Sequence, residues 1–412
     1  MNPLPKNLGE VLSAFETVIC PEMNDGQLVN LIRAKYLLDV KAVNKMNGVP
    51  FTTAEIEAAA LGALEAPNRT TGPIRMTDTP MRTEPADWAT DQEVRWCPGC
   101  GDYSILTAMR MLMPELEVDR HKTVFISGIG CAARFPYYMN TYGMHGIHGR
   151  APAIATGLAM ARPDLDIWVI GGDGDMMSIG GNHLIHALRR NVDMNILLFN
   201  NMIYGLTKGQ FSPTSEVGKV TKSSPMGSLD APFNPVSVAL GAEASFVART
   251  HDMDRQHMME MFRRAHAHKG SSIVEVFQNC NVFNDGAWEG ITKKQNRDAN
   301  LISLEHGKPI RFGADNEFGV IVDNGAARVA SVAEVGEAAV LVHDETKEDP
   351  STAFMLSRLS SGPFEPTPVG VFRAVNRIEY AMSSTTQLAM ANDEKGSGDL
   401  KSLLRSRGTW QV

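Results

Sequence analysis

The sequence predicts an α/β protein built on a doubly wound parallel sheet, preceded by a small α/β fragment and followed by an irregular tail. Three observations predict it. Short, nearly continuous apolar runs of strand length recur between about Trp96 and Cys280, at TVFISGIG, DIWVIGGDGD, NILLFNN and SSIVEVFQN. Runs of that kind suit parallel strands covered by helices on both faces. Helical patterns separate them, at Tyr103 to Met113, Ala151 to Ala161, His183 to Arg190 and Asp252 to His268. The strand-like runs also pass straight into glycine, asparagine or cysteine clusters, where a doubly wound sheet binds its ligands, beyond the carboxyl ends of its strands.

Taken in order, residues 1–66 read as a small α/β fragment. Apolar FETVIC and DVKAVNK flank an amphipathic helix through Gln27 to Ala34, and Thr52 or Thr53 caps a last helix with Glu55 placed for a capping box. Residues 67–94, rich in Pro, Thr and charge with little apolar periodicity, read as a linker. The doubly wound domain occupies 95–290. Residues 291–412 are mixed and more polar, with DETKEDPST and MANDEKGSGD as loops, and read as a tail packed on the main domain or on a partner.

A chain of 412 residues, 43% of them hydrophobic, can supply a sizeable core. The net charge of -8, without Lys/Arg runs, leaves no footprint for a nucleic-acid backbone or an anionic membrane, and no stretch is apolar enough for a span or a secretory signal. A cytoplasmic location is the expectation. Five cysteines spread over this length make a disulfide scaffold a poor fit, so they are expected as free thiols or metal ligands, with Cys20 an ordinary core residue.

Two strand ends carry hard oxygen donors. Asp166 to Ile170 runs into Gly171-Gly172-Asp173-Gly174-Asp175, and Asn195 to Phe199 runs into Asn200-Asn201-Met202-Ile203-Tyr204-Gly205. Glycines permit a tight turn and close backbone approach to a diphosphate, while a carboxylate, an amide oxygen and a carbonyl suit octahedral Mg²⁺. A lone Gly-Asp-Gly says little, but here an Asn pair follows, its second member 28 positions after Asp173, with a strand before each element. The arrangement resembles the thiamine-diphosphate motif. That resemblance implies Asp173, Asn201 and the Ile203 carbonyl as Mg²⁺ ligands, the Gly172, Asp173, Gly174, Asp175 turn under the diphosphate, and an ylid that supplies the carbanion chemistry.

Cys97 and Cys100 form a C-x-x-C at the start of the domain, Cys131 follows one strand end, and Cys280 follows another. Spacing alone leaves open tetrahedral zinc, a [4Fe-4S] cluster, a redox dithiol and inert buried thiols. Thiamine chemistry coupled to one-electron oxidation calls for a nearby electron carrier, and zinc has no redox chemistry.

Together WCPGCGDYSIL, SGIGCAARFPYYMNTYGMHGIHGRAPAIATGLAMARPDL, GGDGDMMSIGGNHLIHALRRN and NNMIYGLTKGQFSPTS resemble the β subunit of 2-oxoacid:ferredoxin oxidoreductases, over about Trp96 to Gly290. The resemblance implies the thiamine-diphosphate-binding fold, with Cys97, Cys100, Cys131 and Cys280 on one [4Fe-4S] cluster. It also implies CoA as acyl acceptor, ferredoxin as electron acceptor, and an α subunit that completes the thiamine site with its pyrimidine-side glutamate. RFPYYMNTYGMHGIHGRAPAIATGLA and GLTKGQFSPTSEVGKVTKSSPMGSLD look most like the 2-oxoglutarate members. Arg134 and Lys208 sit where the family places substrate-facing side chains, and a guanidinium suits the extra carboxylate of 2-oxoglutarate. His148 is placed to donate to the diphosphate, with Gly205, Leu206 and Thr207 lining the thiazolium side. His145 is equally consistent with a structural role, and His183 and His186 with packing rather than metal binding.

Residues 1–66 resemble the C-terminal end of the α subunit of the same family, and the β-like sequence ordinarily begins near Met76. Residues 1–66 are either a fused piece of the partner or the product of an early start assignment; a genuine fragment, cut from its parent domain, is expected to borrow a sheet from elsewhere. Three readings compete with the main one: the same reaction on pyruvate or another 2-oxoacid, a non-oxidative thiamine carboligase, and a zinc-stapled binding module without catalysis.

Overall fold

The computed structural model describes residues 7–22, 27–36, 38–45, 51–65, 83–359 and 365–406, in two units, 1–78 and 79–412. In the first unit, α1 (Leu8–Ser13), β1 (Val18–Glu22), α2 (Gln27–Tyr36), β2 (Val40–Asn44) and α3 (Thr53–Glu65) follow one another. Rather than borrowing a sheet, the fragment makes its own: β1 and β2 pair in parallel from Val18↔Val40. Buried Cys20, Val29, Ile32 and Val40 form the small core beneath. The Glu22 carboxylate accepts the N–H groups of Leu28 and Val29 at 2.5 and 3.0 Å, satisfying donors that a helix start leaves unpaired. The Thr52–Glu55 capping box is present, each side chain accepting the other's backbone N–H at 2.7 and 3.3 Å.

The second unit carries an eight-stranded sheet. Its strands are β3 (Thr123–Ser127), β4 (Tyr142–His145), β5 (Asp166–Gly172), β6 (Met194–Asn200), β7 (Phe246–His251), β8 (Ser271–Phe277), β9 (Leu301–Leu304) and β13 (Thr367–Ala374). The order is β4-β3-β5-β6-β8-β7-β13-β9. β3 to β8 are mutually parallel, β13 lies antiparallel against β7, and β9 is parallel to β13. A separate antiparallel sheet joins β10 (Arg311–Phe312), β11 (Phe318–Asp323) and β12 (Ala326–Ser331). The region expected as an irregular tail thus supplies two strands of the main sheet and all of the smaller one.

Alternate side chains of the strands feed two cores, which is why the runs are nearly continuously apolar. Ile126, Val169, Ile196 and Leu198 face α5 (Ala151–Ala161), α7 (Gly181–Arg190) and α8 (Pro235–Gly241). Phe125, Trp168, Leu197, Phe199 and Val274 face α4 (Asp102–Glu115) and α9 (Arg255–Ala267). A short helix, α6 (Asp173–Met177), leaves the end of β5. The expected linker needs correction in its second half. Residues 66–82 lie outside the described residues, but Trp88 is fully buried in the α4/α9 core, and its carbonyl accepts from Asn140 N–H at 2.9 Å. One indole anchors a stretch whose composition otherwise reads as solvent-exposed.

Burial at the end of β7 has a pH consequence. His251 is 2% exposed, and desolvation, followed by the nearby His257, lowers its pKa to about 4. The unfolded chain takes up this proton below pH ~6.5 whereas the folded protein refuses it until about 4. The associated stability is therefore complete above pH ~6.5 and is lost as pH falls toward 4. His251→Phe is expected to remove this loss. In urea unfolding, the difference between variant and wild type should shift by about 3 kcal/mol between pH ~7.5 and pH ~4. An unchanged difference places the acid sensitivity in other groups.

Candidate active site

Because β3, β5, β6 and β8 are parallel, their carboxyl ends share one edge, and the four predicted clusters meet there. The chain passes from β3 outward to β4 and then back across to β5, so the β3/β5 boundary is a topological switch point. Asp175 spans it. Its Oδ1 accepts from Ile129 N–H at 3.1 Å and Gly149 N–H at 2.7 Å, and lies 2.8 Å from His148 Nδ1. Burial raises its pKa, against these donors. Asp175 therefore clamps the two loops around the site, and His148 is oriented by it.

Asp173, 1% exposed, opens α6. Its Oδ2 accepts from the hydroxyls of Ser212 and Thr214 at 2.5 and 2.6 Å, yet burial still pushes its pKa up to about 6. Neither hydroxyl was singled out from sequence; the signal was the Ser-Pro-Thr-Ser run within the loop after the Asn pair. Thr214 also reaches Asn200 Oδ1 at 3.0 Å, Asn200 donates to Glu275 at 2.7 Å, and Glu275 is paired with Arg249 at 2.7 Å. A buried polar chain thus runs from the sheet interior to Asp173. Gly174 has no room for a side chain, since a Cβ would lie 2.3 Å from the Tyr204 ring, whose hydroxyl donates to the Gly174 carbonyl at 3.0 Å.

The Asn pair divides its work. Asn200 points into the sheet, whereas Asn201 donates its amide to Gln278 Oε1 at 2.7 Å, and its Oδ1 accepts from Ile203 N–H at 3.2 Å. Met202 takes a left-handed φ of 55° as the chain turns. The following turn closes through Tyr204 N–H to the Gln210 carbonyl, 2.9 Å, and exposes Leu206, Thr207 and Lys208. Gly205 lies between two thiols: a Cβ there would stand 3.5 Å from Cys131 Sγ and 3.6 Å from Cys280 Sγ.

The cysteines gather around this point. The Cys97–Cys100 turn is tied to the residues flanking Cys280 by Gly101 N–H to the Asn279 carbonyl, 3.1 Å, and by Asn281 to the Pro98 carbonyl, 2.6 Å. Trp96 donates to the Cys131 carbonyl at 2.7 Å. Burial, then Asp102 and the neighbouring thiols, push Cys131 up to about 12, and Cys100 is pushed higher by the same causes. All four are free thiols, Cys97 the most exposed. Among the described residues no three His, Cys, Asp or Glu groups converge tightly enough to grip a single ion.

Arg134 is half-buried three residues past Cys131, with Nε held 3.1 Å from the Tyr138 hydroxyl. Lys208 sits exposed with a φ of 76°. His145 is committed to the Ala133 carbonyl at 2.8 Å, and His183 to Arg150. Both geometries match the structural alternatives for these histidines. The donor set fits magnesium and a diphosphate: a carboxylate raised by burial that a cation would hold ionised, an amide oxygen with lone-pair capacity, and a backbone brought close by glycine.

A sequence family described as "Thiamine pyrophosphate enzyme, C-terminal TPP binding domain" matches residues 128–276. Among curated proteins, 2-oxoglutarate oxidoreductase subunit KorB of Mycobacterium tuberculosis is 52% identical over 369 residues, 89% of this chain and 97% of that protein. The 2-oxoacid:ferredoxin oxidoreductase subunit beta of Saccharolobus solfataricus is 37% identical over 248 residues, 56% of this chain and 81% of that protein. Among solved structures, a 2-oxoglutarate:ferredoxin oxidoreductase from Magnetococcus marinus, with 2-oxoglutarate, coenzyme A and succinyl-CoA bound, superposes with a TM-score of 0.61. It is 31% identical, and the match covers 79% of this chain and 97% of that one.

Proposed function

The chain belongs to the β subunits of the 2-oxoacid:ferredoxin oxidoreductases, and from that membership we propose that, with an α subunit, it converts 2-oxoglutarate to succinyl-CoA and passes the electrons to ferredoxin. The observation that carries this reading is Gly205. The loop that lines the thiamine side is packed by its backbone against the sulfurs of Cys131 and Cys280. Carbon chemistry and electron removal are thereby kept at one rim of the sheet.

Bound thiamine diphosphate with Mg²⁺ supplies the carbanion chemistry, and a [4Fe-4S] cluster the one-electron exchange. Asp173, Asn201 Oδ1 and the Ile203 carbonyl hold the magnesium, and the Gly172 to Asp175 turn accepts the diphosphate. His148, whose Nδ1 lies 2.8 Å from Asp175 Oδ1, donates to the diphosphate. Gly205, Leu206 and Thr207 wall the ring. Cys97, Cys100, Cys131 and Cys280 hold the cluster. Arg134 and Lys208 bind the carboxylates of 2-oxoglutarate, and CoA takes the acyl group. Free thiols without a disulfide suit a reducing cytoplasm. No described helix is long and apolar enough to cross a membrane.

The test is anaerobic purification of the full chain with its partner subunit. The complex is expected to contain iron and to reduce ferredoxin or a viologen only when 2-oxoglutarate and CoA are both present. A clear preference for pyruvate overturns the substrate, and zinc without iron overturns the cluster.

A further inference from the structure

Gln278 follows β8, is 1% exposed, and stands between the two halves of the site. Its Oε1 accepts from Asn201 Nδ2 at 2.7 Å. Its Nε2 donates to Cys100 Sγ at 3.3 Å and to the Asn279 carbonyl at 2.6 Å. Its backbone N–H is fixed to the Asn200 carbonyl at 3.0 Å. A carboxamide is the side chain that offers a donor at one end and an acceptor at the other. Both ends are used here, and so the amide cannot flip without losing its bonds.

We propose that Gln278 is a positioning residue that joins the magnesium site to the cluster: its carbonyl fixes the orientation of the Asn201 amide while its N–H tunes the Cys100 thiolate. The inference rests on the cofactor reading above. Because the Asn201 amide nitrogen is held by Gln278, the oxygen is the end left for the cation. A reversed amide would present N–H groups to Mg²⁺. At the other end, an N–H aimed at a cluster thiolate stabilises the more negative, reduced state and raises the potential. Two consecutive amides, Gln278 and Asn201, thus link Cys100 to the metal-facing oxygen, so the cluster and the coenzyme share a rigid polar connection.

The experiment compares Gln278→Glu and Gln278→Leu with wild type, each as the full chain in complex with its partner subunit and purified anaerobically. Iron content, the cluster potential by EPR-monitored titration at pH ~8, and thiamine diphosphate affinity in Mg²⁺ by calorimetry are measured. Gln278→Glu keeps the acceptor and, once ionised, loses the donor. It is expected to bind thiamine diphosphate like wild type, with reduction of the cluster disfavoured about tenfold, roughly 59 mV for one electron. Gln278→Leu should show the same shift and, in addition, a roughly 10-fold weaker coenzyme affinity. If Gln278→Leu does not assemble, Gln278→Glu decides alone. An iron-replete Gln278→Glu with an unmoved potential overturns the proposal while leaving the cluster reading intact. A wild-type complex without iron overturns both.

Discussion

Asp173→Asn is expected to weaken Mg²⁺-dependent thiamine diphosphate binding by more than about 100-fold, beyond the loss typical of outer-shell partners of a metal ligand. The same substitution should make the cofactor-free protein more stable. The sign follows from the raised acid: folded Asp173 holds its proton up to about pH 6 through burial, whereas the unfolded carboxyl ionises near 3.8. Folding therefore carries a penalty that is absent below pH ~3.8 and complete above about 6, worth about 3 kcal/mol. Asparagine cannot ionise, and at pH ~8 without Mg²⁺ it should unfold at higher denaturant than wild type, with the gap closing toward pH ~4. A variant that binds the coenzyme normally would falsify the ligand role of this carboxylate.

The second large effect is expected at the far end of the polar chain. Arg249 and Glu275 are register partners on β7 and β8, with side chains 4% and 2% exposed. The guanidinium lies between Phe277 and Phe372, 5.0 and 5.3 Å from their centroids, and donates to the Pro368 carbonyl at 3.2 Å. Arg249→Met strands the Glu275 charge inside the sheet, and should cost about 3–5 kcal/mol in chemical unfolding. The double variant Arg249→Met/Glu275→Leu should recover most of that loss, because well-packed apolar replacements of buried ion pairs are often neutral. It should not recover function. Asn200 then lacks the acceptor that holds its amide, Thr214 loses its fixed neighbour, and coenzyme affinity should remain roughly 10- to 100-fold down. Wild-type affinity in the stable double variant would mean that the buried chain serves the fold alone.

These two predictions also mark where sequence reading stops. Asp173 and Asn201 could be picked out because strand, turn and polar residue follow one another along the chain. Ser212, Thr214, Glu275 and Gln278 could not, since their partners are brought to them only by the sheet order, 14 to 178 positions away in sequence. The strands β3, β5, β6 and β8 lie in nearly continuous apolar runs, and each was anticipated. β13 was not: Pro368, Gly370 and Arg373 interrupt TPVGVFRA, and only the fold shows that the arginine donates to the Ala244 carbonyl at 2.9 Å and lies 3.2 Å from Glu243. Trp88 was hidden by its neighbours in the same way, a single apolar anchor among prolines, threonines and charges.

The position of β13 has a consequence for how the protein is made. Among the described strands β9 has one neighbour, β13, which leaves the ribosome more than 60 residues later. At 5–20 residues per second, residues 301–304 wait on the order of 3–13 s for the segment that seats them, and the outer edge of β7 stays open for longer still. A nascent chain halted before residue 367 exposes an unfilled sheet edge, so premature termination upstream of that residue should yield an aggregation-prone product rather than a shortened enzyme.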